Sequence, residues 1–360
     1  MNKVGMLKFQ GSSQFRQRII CSTLSSRPVK ITNIRDDQER PGLTDYEVSF
    51  LRLLDKITNG TKIDINGTGT QLTYIPGLLI GGKLQHDCPV SRGIGYFVEA
   101  LICLAPFSKL PLDITLTGIT NNDLDLTIDT IRTTTLPIVR KFGIEEGLHI
   151  KILKRGAPPG GGGSVIFKCP IVQQLKPIQL LDEGKIRRVR GIAYATRVSP
   201  QIPNRVLDTA KGILLKFTPD VYISADHYKG GESGQSPGYG LTLVAETTTG
   251  CCISAECMGA AGESPESLGE RTANFLLEEI LNGGCIDSNN QSLALLFMVL
   301  CPEDISKIKL GKLTPYTIDF IRNIKEFFGT VFKIETDDDS KTITFTCLGT
   351  GFKNMARKTF

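Results

Sequence analysis

The chain has 360 residues, of which 40% are hydrophobic and 22% are charged, and its formal net charge is +5. This composition is typical of a globular protein with a sizeable core, and it excludes a disordered or collagen-like chain. No apolar run reaches the length of a transmembrane helix, so we expect no membrane contact. The ten cysteines lack metal-ligand spacing, which favours reduced thiols in an intracellular compartment and predicts no metal site.

The first forty residues predict a strand, a helix and a second strand. After them, a helix followed by two strands recurs four times, at residues 45–75, 126–167, 204–245 and 316–347. In each copy the apolar residues first recur at helical spacing and then follow the alternation of strands. The pattern predicts an α+β chain built from internal repeats, each a small sheet with helices on one face.

A stretch rich in proline and glycine lies at residues 155–165, between strand-like runs at residues 149–153 and 165–167. Glycine reaches positive φ angles and lets another backbone or an anion come close, while proline stiffens the chain. A flexible linker is the alternative, but linkers rarely lie so tightly between two strands. We therefore favour a built loop or wide turn.

The segment from residue 185 onward has three notable features. A basic, alternating run at residues 185–190 predicts either an edge strand with solvated charges or a contact with RNA or protein. A glycine-rich stretch at residues 228–238 predicts a long loop that another part of the assembly orders. Residues 264–280 predict an amphipathic helix that returns the chain to the main body.

No catalytic motif stands out from the residues alone. The three histidines, His86, His149 and His227, have no serine, cysteine or metal-ligand motif near them. The glycine run at residues 160–163 precedes a strand instead of a helix, so the phosphate-binding argument for helix N-termini does not apply. We expect no cofactor.

The motif Arg-Gly-x-x-Pro-x-Gly-Gly-Gly-x-Val at residues 155–165 resembles the signature of the RNA 3′-terminal phosphate cyclase family. Further matches occur at residues 9–11, 41–43 and 349–352, so the resemblance covers almost the whole chain, and it is strongest to the cyclase-like branch that serves eukaryotic ribosome biogenesis. It implies three βαβαββ modules similar to the C-terminal domain of a bacterial translation initiation factor. It also implies a main domain of residues 1–184 and 282–360, interrupted by an inserted domain of residues 185–281.

The chain departs from the pattern of active cyclases, which transfer an adenylyl group from ATP through a histidine. The run that matches the family's histidine motif places Tyr316 at the position of this nucleophile. A phenol, with an ordinary pKa near 10, is a poor nucleophile at neutral pH. Gln38, Asp45 and Glu47 stand where the family has two arginines and a histidine, and a glutamate near the N-terminus is lost. The resemblance therefore implies a protein without cyclase activity.

Two sets of residues remain candidates for binding. Arginines that converge are able to hold an RNA phosphate without chemistry, although unrelated surface arginines are the alternative. A basic helix face is able to dock a partner, although a solvated face is the alternative. The anion or RNA candidates are Arg18, Arg35, Arg40, Arg155, Gly161 and Gly162; the partner candidates are Arg322, Lys325 and Lys312, with Lys353, Arg357 and Lys358 at the C-terminus.

The resemblance implies a factor for small ribosomal subunit assembly and 18S pre-rRNA processing in the nucleolus of the nucleus. It also implies a GTPase partner from the small-subunit processome, and pre-rRNA bound directly or through that partner. A pre-rRNA endonuclease is the second hypothesis, with Asp45, Glu47 and Asp287 as available carboxylates. A residual cyclase is the third.

Overall fold

The computed structural model describes residues 5–354 and begins with a four-stranded sheet. Its elements are β1 (Leu7–Gln10), α1 (Phe15–Ser25), β2 (Val29–Thr32), α2 (Asp45–Ile57), β3 (Thr58–Asn59), β4 (Lys62–Ile65), β5 (Leu72–Ile75) and β6 (Leu78–Leu79). The sheet has the order β1-β2-β5-β4, while β3 and β6 form a small separate pair. The two strands predicted after the helix in residues 45–75 are β4 and β5, which pair antiparallel as a hairpin. A capping box of Thr44 and Glu47 starts α2, which buries Phe50, Leu54 and Ile57.

The second sheet repeats this arrangement, in the order β7-β8-β10-β9. Its elements are β7 (Gly82–Asp87), α3 (Ile94–Leu104), β8 (Leu112–Gly118), α4 (Ile128–Thr130), α5 (Leu136–Lys141), β9 (His149–Lys154) and β10 (Gly163–Cys169). A π-helical turn at Ile131–Thr135 joins α4 to α5. Because β9 and β10 are antiparallel neighbours, the glycine stretch between them is a loop that closes a hairpin. The prediction of a built loop is confirmed.

A different sheet follows, in the order β13-β12-β14-β15. Its elements, after the short strand β11 (Gln179–Leu180), are β12 (Ile186–Thr196), α6 (Gln201–Leu214), β13 (Val221–Tyr228), β14 (Gly238–Thr247), β15 (Cys252–Met258) and α7 (Pro265–Asn282). The helix predicted at residues 264–280 is confirmed as α7, and Ser264 caps it.

The basic run at residues 185–190 lies at the start of β12. Val189 and Arg190 lie between β13 and β14, so this end of the run is not at an edge, whereas Ile186 and Arg188 pair with β14 alone. Two of its four cations form ion pairs, Arg188 with Glu246 at 2.7 Å and Arg190 with Asp220 at 2.8 Å. The two strands after α6 are not neighbours in the sheet, since β13 runs parallel to β12 on one side and β14 pairs antiparallel with β12 on the other.

The last sheet, β11-β16-β18-β17, combines a strand from before this segment with strands from after it. Its remaining elements are α8 (Gln291–Val299), β16 (Ile305–Leu310), α9 (Pro315–Phe328), β17 (Lys333–Asp337) and β18 (Thr342–Leu348). It shares its pairing with the first two sheets: two parallel strands, then two antiparallel contacts.

The buried apolar side chains form two clusters. One extends from Phe15 to Cys347 and joins the three sheets of like order, and the other extends from Val189 to Leu276 and joins the β12–β15 sheet to α6 and α7. Within residues 5–354, no helix is both long enough and apolar enough to cross a bilayer. The chain is thus a mixed α+β protein with several sheets and two cores.

Candidate functional site

The glycine loop between β9 and β10 packs against the second glycine-rich loop, between β13 and β14. The N–H of Arg155 donates to the carbonyl of Glu232 at 3.0 Å, and the N–H of Gln235 donates to the carbonyl of Gly161 at 2.9 Å. Gly234 is required at this contact, because a Cβ there would lie 2.2 Å from the carbonyl oxygen of Gly161. The part of the chain that orders the second loop is therefore the first loop.

Arg155 opens the first loop and is completely buried, at 0% exposure. Its guanidinium donates to the carboxylate of Asp129 at 2.5 and 3.1 Å and to that of Asp226 at 2.9 Å. Burial by itself disfavours the charged form of Asp129, but the positive charge of Arg155 outweighs it and holds the pKa of Asp129 below its usual value. Since Asp226 lies on β13 and Asp129 in α4, Arg155 ties the two parts of the fold together.

This arrangement corrects the expectation that Arg155, Gly161 and Gly162 contact an anion or RNA. The guanidinium of Arg155 already serves two carboxylates away from solvent, so a phosphate would have to break a buried ion pair. Gly161 and Gly162 adopt φ angles of 61° and 73° and face Val90 and Gln235. These glycines shape the loop for its contact with the second loop.

Arg35 is also paired, although we expected it to hold an anion. Its two terminal nitrogens donate to the two carboxylate oxygens of Glu47, each at 2.8 Å. Glu47 is 2% exposed and also accepts the N–H of Thr44 at 2.9 Å. Arg40, in the loop before α2, is exposed and makes no ion pair with any residue between 5 and 354. Of these two arginines, Arg40 is the one available to a phosphate.

Two cations that the sequence assigned to different surfaces lie together. Arg18 of α1 and Arg322 of α9 line one groove of ≈ 270 Å³, which also includes Phe9 and Asp319. Arg18 donates to the carbonyl of Gly11 at 3.0 Å and stacks on the ring of Phe9. Arg322 pairs with Asp319 at 2.7 Å but remains 75% exposed. The anion and partner candidates therefore meet at the α1–α9 contact.

The other partner candidates are exposed lysines. Lys325 lies one turn after Arg322 on α9 and is exposed, and Lys312 is exposed just before that helix. Lys353 is exposed near the end of the described chain, whereas Arg357 and Lys358 lie outside the described residues. We call Arg322, Lys325 and Lys312 the α9 basic surface.

Tyr316 lies in the first turn of α9 and lines a cleft of ≈ 580 Å³. Thr314 caps this helix by accepting the N–H of Thr317 at 3.1 Å. Although 43% of Tyr316 is exposed, burial around its hydroxyl group raises the pKa to about 12, and the nearby charge of Arg16 only partly opposes this. The phenol therefore stays protonated at neutral pH and is a weak nucleophile.

The cleft lies between α7 and β15 on one side and α1, α3 and the start of α9 on the other. Its two cations are already neutralised: Arg16 pairs with Glu99 at 2.7 Å, and Arg92 pairs with Asp125. Four further carboxylates line the cleft, from Asp123, Glu256, Glu278 and Glu279. Because the net charge of the lining is negative, the cleft opposes the entry of a triphosphate.

Beneath this cleft, two buried carboxylates form hydrogen bonds between β15 and the main part of the chain. Glu256 of β15 accepts the N–H of Thr127 at 3.0 Å, and burial raises its pKa to about 7. Asp287, after α7, accepts the N–H of Ser254 at 3.0 Å, and burial raises its pKa to about 6. These bonds fix β15 against the main sheets, and burial makes both carboxyl groups easier to protonate than exposed acids are.

The three carboxylates of the endonuclease hypothesis do not converge. Asp45 accepts from the hydroxyl of Ser91 at 2.7 Å, Glu47 binds Arg35, and Asp287 binds Ser254. Among the described residues, no group of histidine, cysteine, aspartate or glutamate is arranged to hold a metal ion. The geometry therefore gives the endonuclease hypothesis no support.

The acidic cleft was not predicted from the sequence. Its residues come from α1, α3, the loop after β8, β15, α7 and α9, and no single stretch contains more than four of them. The signals in the sequence were the closely spaced acids Asp123 and Asp125 and the pair Glu278 and Glu279. Such acids are usually solvated, so only their placement around one cleft distinguishes them.

Fold and site together define a mixed α+β protein with a tyrosine-bearing, acidic cleft. Residues 7–334 match the family described as RNA 3'-terminal phosphate cyclase. The chain is 75% identical to "Probable RNA 3'-terminal phosphate cyclase-like protein" of Dictyostelium discoideum, over 99% of this chain and 100% of the relative. It is 54% identical to "RNA 3'-terminal phosphate cyclase-like protein" of Homo sapiens, over 98% of this chain and 97% of the relative.

A third relative is "rRNA processing protein rcl1" of Schizosaccharomyces pombe, 45% identical over 98% of this chain and 99% of the relative. Among solved structures, the enolpyruvyl transferase NikO from Streptomyces tendae matches 96% of this chain and 48% of its own at a TM-score of 0.41 and 12% identity. That score is too low for any argument. The chain belongs to the RNA 3′-terminal phosphate cyclase family, and its curated relatives carry the name cyclase-like.

Proposed function

We propose that this protein is a cyclase-like factor without cyclase activity, which serves small ribosomal subunit assembly and 18S pre-rRNA processing in the nucleolus. The similarity of nearly the whole chain to the fission yeast rRNA processing protein supports the process. The main support for the absence of cyclase activity is the acidic cleft, which Tyr316 lines from the first turn of α9. A fold that keeps its surfaces after losing its chemistry commonly acts by binding.

The chemical argument for inactivity has two parts. In the family, a histidine accepts the adenylyl group and then releases it, whereas a protonated phenol neither attacks readily nor leaves as a cation. ATP also needs cations around its phosphates, but Arg16 and Arg92 are committed to Glu99 and Asp125. Both the nucleophile and the free cations that would bind the phosphates of ATP are therefore missing.

The partner, we propose, is a ribosome-assembly GTPase that contacts the α9 basic surface. Exposed cations of this kind steer an acidic partner surface and are lost at little cost to the fold. Arg18 lies in the same groove as Arg322, so an RNA phosphate or a carboxylate of the partner bound there would meet both guanidinium groups. Pre-rRNA is then bound at this groove or through the GTPase.

The sheets support a proposal about architecture. Three of them share one strand order and one pairing pattern, which supports three βαβαββ modules like the C-terminal domain of a bacterial initiation factor. The separate core around α6 and α7 supports a main domain of residues 1–184 and 282–360 with an inserted domain of residues 185–281. In this proposal Arg155 and its two aspartates hold the inserted domain in place.

The test replaces the protein in cells by variants and measures 18S rRNA precursors by hybridisation. Arg322→Ala with Lys325→Ala is expected to accumulate precursors and to lose the co-purifying GTPase activity. The matched control, Lys211→Ala with Lys216→Ala, removes two exposed lysines elsewhere and is expected to behave as wild type. Tyr316→Phe is also expected to process normally. Processing that stops in Tyr316→Phe, with the folded protein at normal abundance, would overturn the proposal.

A further inference from the structure

The outer edge of the first sheet carries a groove that the proposed function does not use. It has a volume of ≈ 860 Å³ and lies between α2 and β4, far along the chain from the α9 basic surface. Val48, Arg52 and Lys56 of α2 and Ile63 and Ile65 of β4 line it. The groove is therefore bounded by one helix and one strand, and β4 is the last strand of its sheet.

The backbone of β4 has an open hydrogen-bonding edge. The N–H of Asn66 donates to the carbonyl of Gln71 at 3.1 Å, in register with the β4–β5 ladder. Along an antiparallel ladder the residues alternate, so Asp64 directs its backbone groups at β5 while Ile63 and Ile65 direct theirs outward. Within residues 5–354, no hydrogen bond reaches the outward N–H or C=O groups of these two isoleucines.

The side chains of the groove combine an apolar strip with positive charge. Ile63 and Ile65 lie on one face of β4, and Ile65 is 38% exposed. Arg52 and Lys56 are exposed one turn apart on the same face of α2, and Lys62 adds a third cation at the rim. The lining contains one carboxylate, Asp55, so its net charge is positive.

We propose that this groove binds an extended, acidic segment of a partner protein, which adds to the sheet as a fifth strand beside β4. The outward backbone groups of Ile63 and Ile65 bond to the segment, as in other cases of strand addition. Apolar side chains at alternate positions of the segment cover Val48 and Ile65, and its carboxylates approach Arg52 and Lys56. The positive charge of the groove makes it selective for acidic segments, and the backbone hydrogen bonds require the segment to be extended.

The lining favours a peptide over RNA. Single-stranded RNA binds through positive charge together with aromatic rings on which bases stack, and this lining contains no aromatic side chain. A sheet edge, by contrast, recognises another backbone in extended form. RNA binding in the groove is therefore an outcome that the test must be able to detect.

The test starts from a phage library of random 12-residue peptides, selected on the full-length protein. We expect enrichment of peptides with acidic residues and alternating apolar residues. Enriched peptides are then synthesised with a fluorophore, and their affinities are measured by anisotropy. Arg52→Glu with Lys56→Glu is expected to weaken binding at least tenfold, whereas Lys211→Glu with Lys216→Glu, which reverses two exposed lysines of α6 and the turn after it, leaves it unchanged.

The backbone contact has its own variant. Ile65→Pro removes an outward N–H but no bond of the β4–β5 ladder, and proline is tolerated at such edge positions. We expect it to fold normally by circular dichroism and to bind the peptides at least tenfold more weakly. A second measurement avoids changing the protein: N-methylation of alternate peptide residues in one register abolishes binding, and in the other register spares it.

Three results would overturn the proposal. One is a selection that enriches no acidic peptide. Another is binding that survives both the charge reversal and N-methylation in either register, since the peptides then bind elsewhere or in another conformation. The third is a 12-residue polyuridine RNA that displaces the peptides and depends on Arg52 and Lys56, because the groove is then an RNA site.

Discussion

The junction at Arg155 and the α9 basic surface use the same kind of residue in opposite ways. Arg155 and Arg322 were both expected to bind an external partner, but Arg155 is fully buried between Asp129 and Asp226, and Arg322 is 75% exposed beside Asp319. A buried arginine must have its charge matched inside the protein, so it is not available to a ligand. Burial, and not residue type, separates structural cations from binding cations in this molecule.

The largest effect is expected for Arg155→Met. The change removes the buried cation that Asp129 contacts and leaves only the partly exposed Arg132 beside it, at 3.2 Å. Breaking a buried ion pair typically costs about 3–5 kcal/mol of unfolding free energy. Urea denaturation followed by circular dichroism measures it. The double variant Arg155→Met with Asp129→Leu is expected to recover much of the loss, because no buried charge remains. A loss below about 1 kcal/mol in the single variant would contradict the structural role of Arg155.

Next in size is the pH dependence contributed by Glu256. Burial raises its pKa from 4.5 to about 7, so between these values the folded state binds a proton that the unfolded state lacks. Stability therefore falls as pH rises through this window, by on the order of 2 kcal/mol. We expect the stability of wild type relative to Glu256→Gln to decline from pH 5 to pH 8, as measured by urea denaturation at each pH. A difference independent of pH would show that Glu256 is ionised throughout.

A smaller loss of stability is expected for Arg35→Ala. The exposure of Arg35 is between that of the buried Arg155 and that of the exposed Arg322. Arg35 is partly exposed, while its partner Glu47 is buried but keeps the N–H of Thr44. We expect a loss of about 1–2 kcal/mol by urea denaturation, since one of the two partners of a buried carboxylate remains. Arg40→Ala, five residues away, is the matched control, because Arg40 makes no ion pair with any residue from 5 to 354. Its stability should stay within about 0.5 kcal/mol of wild type. Equal losses would mean that pairing does not distinguish the two arginines.

The smallest effect on the fold is expected for Arg322→Ala with Lys325→Ala. Exposed charges and surface ion pairs contribute little, so unfolding should change by less than about 0.5 kcal/mol. Together with a loss of function in cells, this result would separate binding from stability. A large loss of stability would instead place these residues with Arg155, as part of the fold.

Local patterns were enough to predict the elements that depend on nearby residues. Helix α7 and the two strands β4 and β5 follow from the spacing of apolar residues within each segment. The ion pairs of Arg155 do not, because its partners lie 26 and 71 residues away in the chain. For the same reason the sequence did not show that β13 and β14 flank β12 from Val189 onward.

The cleft is a second feature that the sequence predicted only in part. Tyr316 was identified from its flanking residues, but the sequence did not show that Glu256 and Glu279 of other elements face the same space. Acidic residues acquire a shared electrostatic effect only when the fold places them around one cavity. The weak nucleophile Tyr316 was therefore predictable, and the negative field of the cleft around it was not.

The most direct test of the account is covalent labelling of the purified protein with ATP labelled at the α-phosphate, in the presence of Mg²⁺. We expect no protein–adenylate above background, and none in Tyr316→His, because the acidic lining still excludes the nucleotide. A covalent label on the wild-type protein that disappears in Tyr316→Phe would contradict the account. It would mean that the tyrosine has taken over the role of the histidine and that this chain is an enzyme.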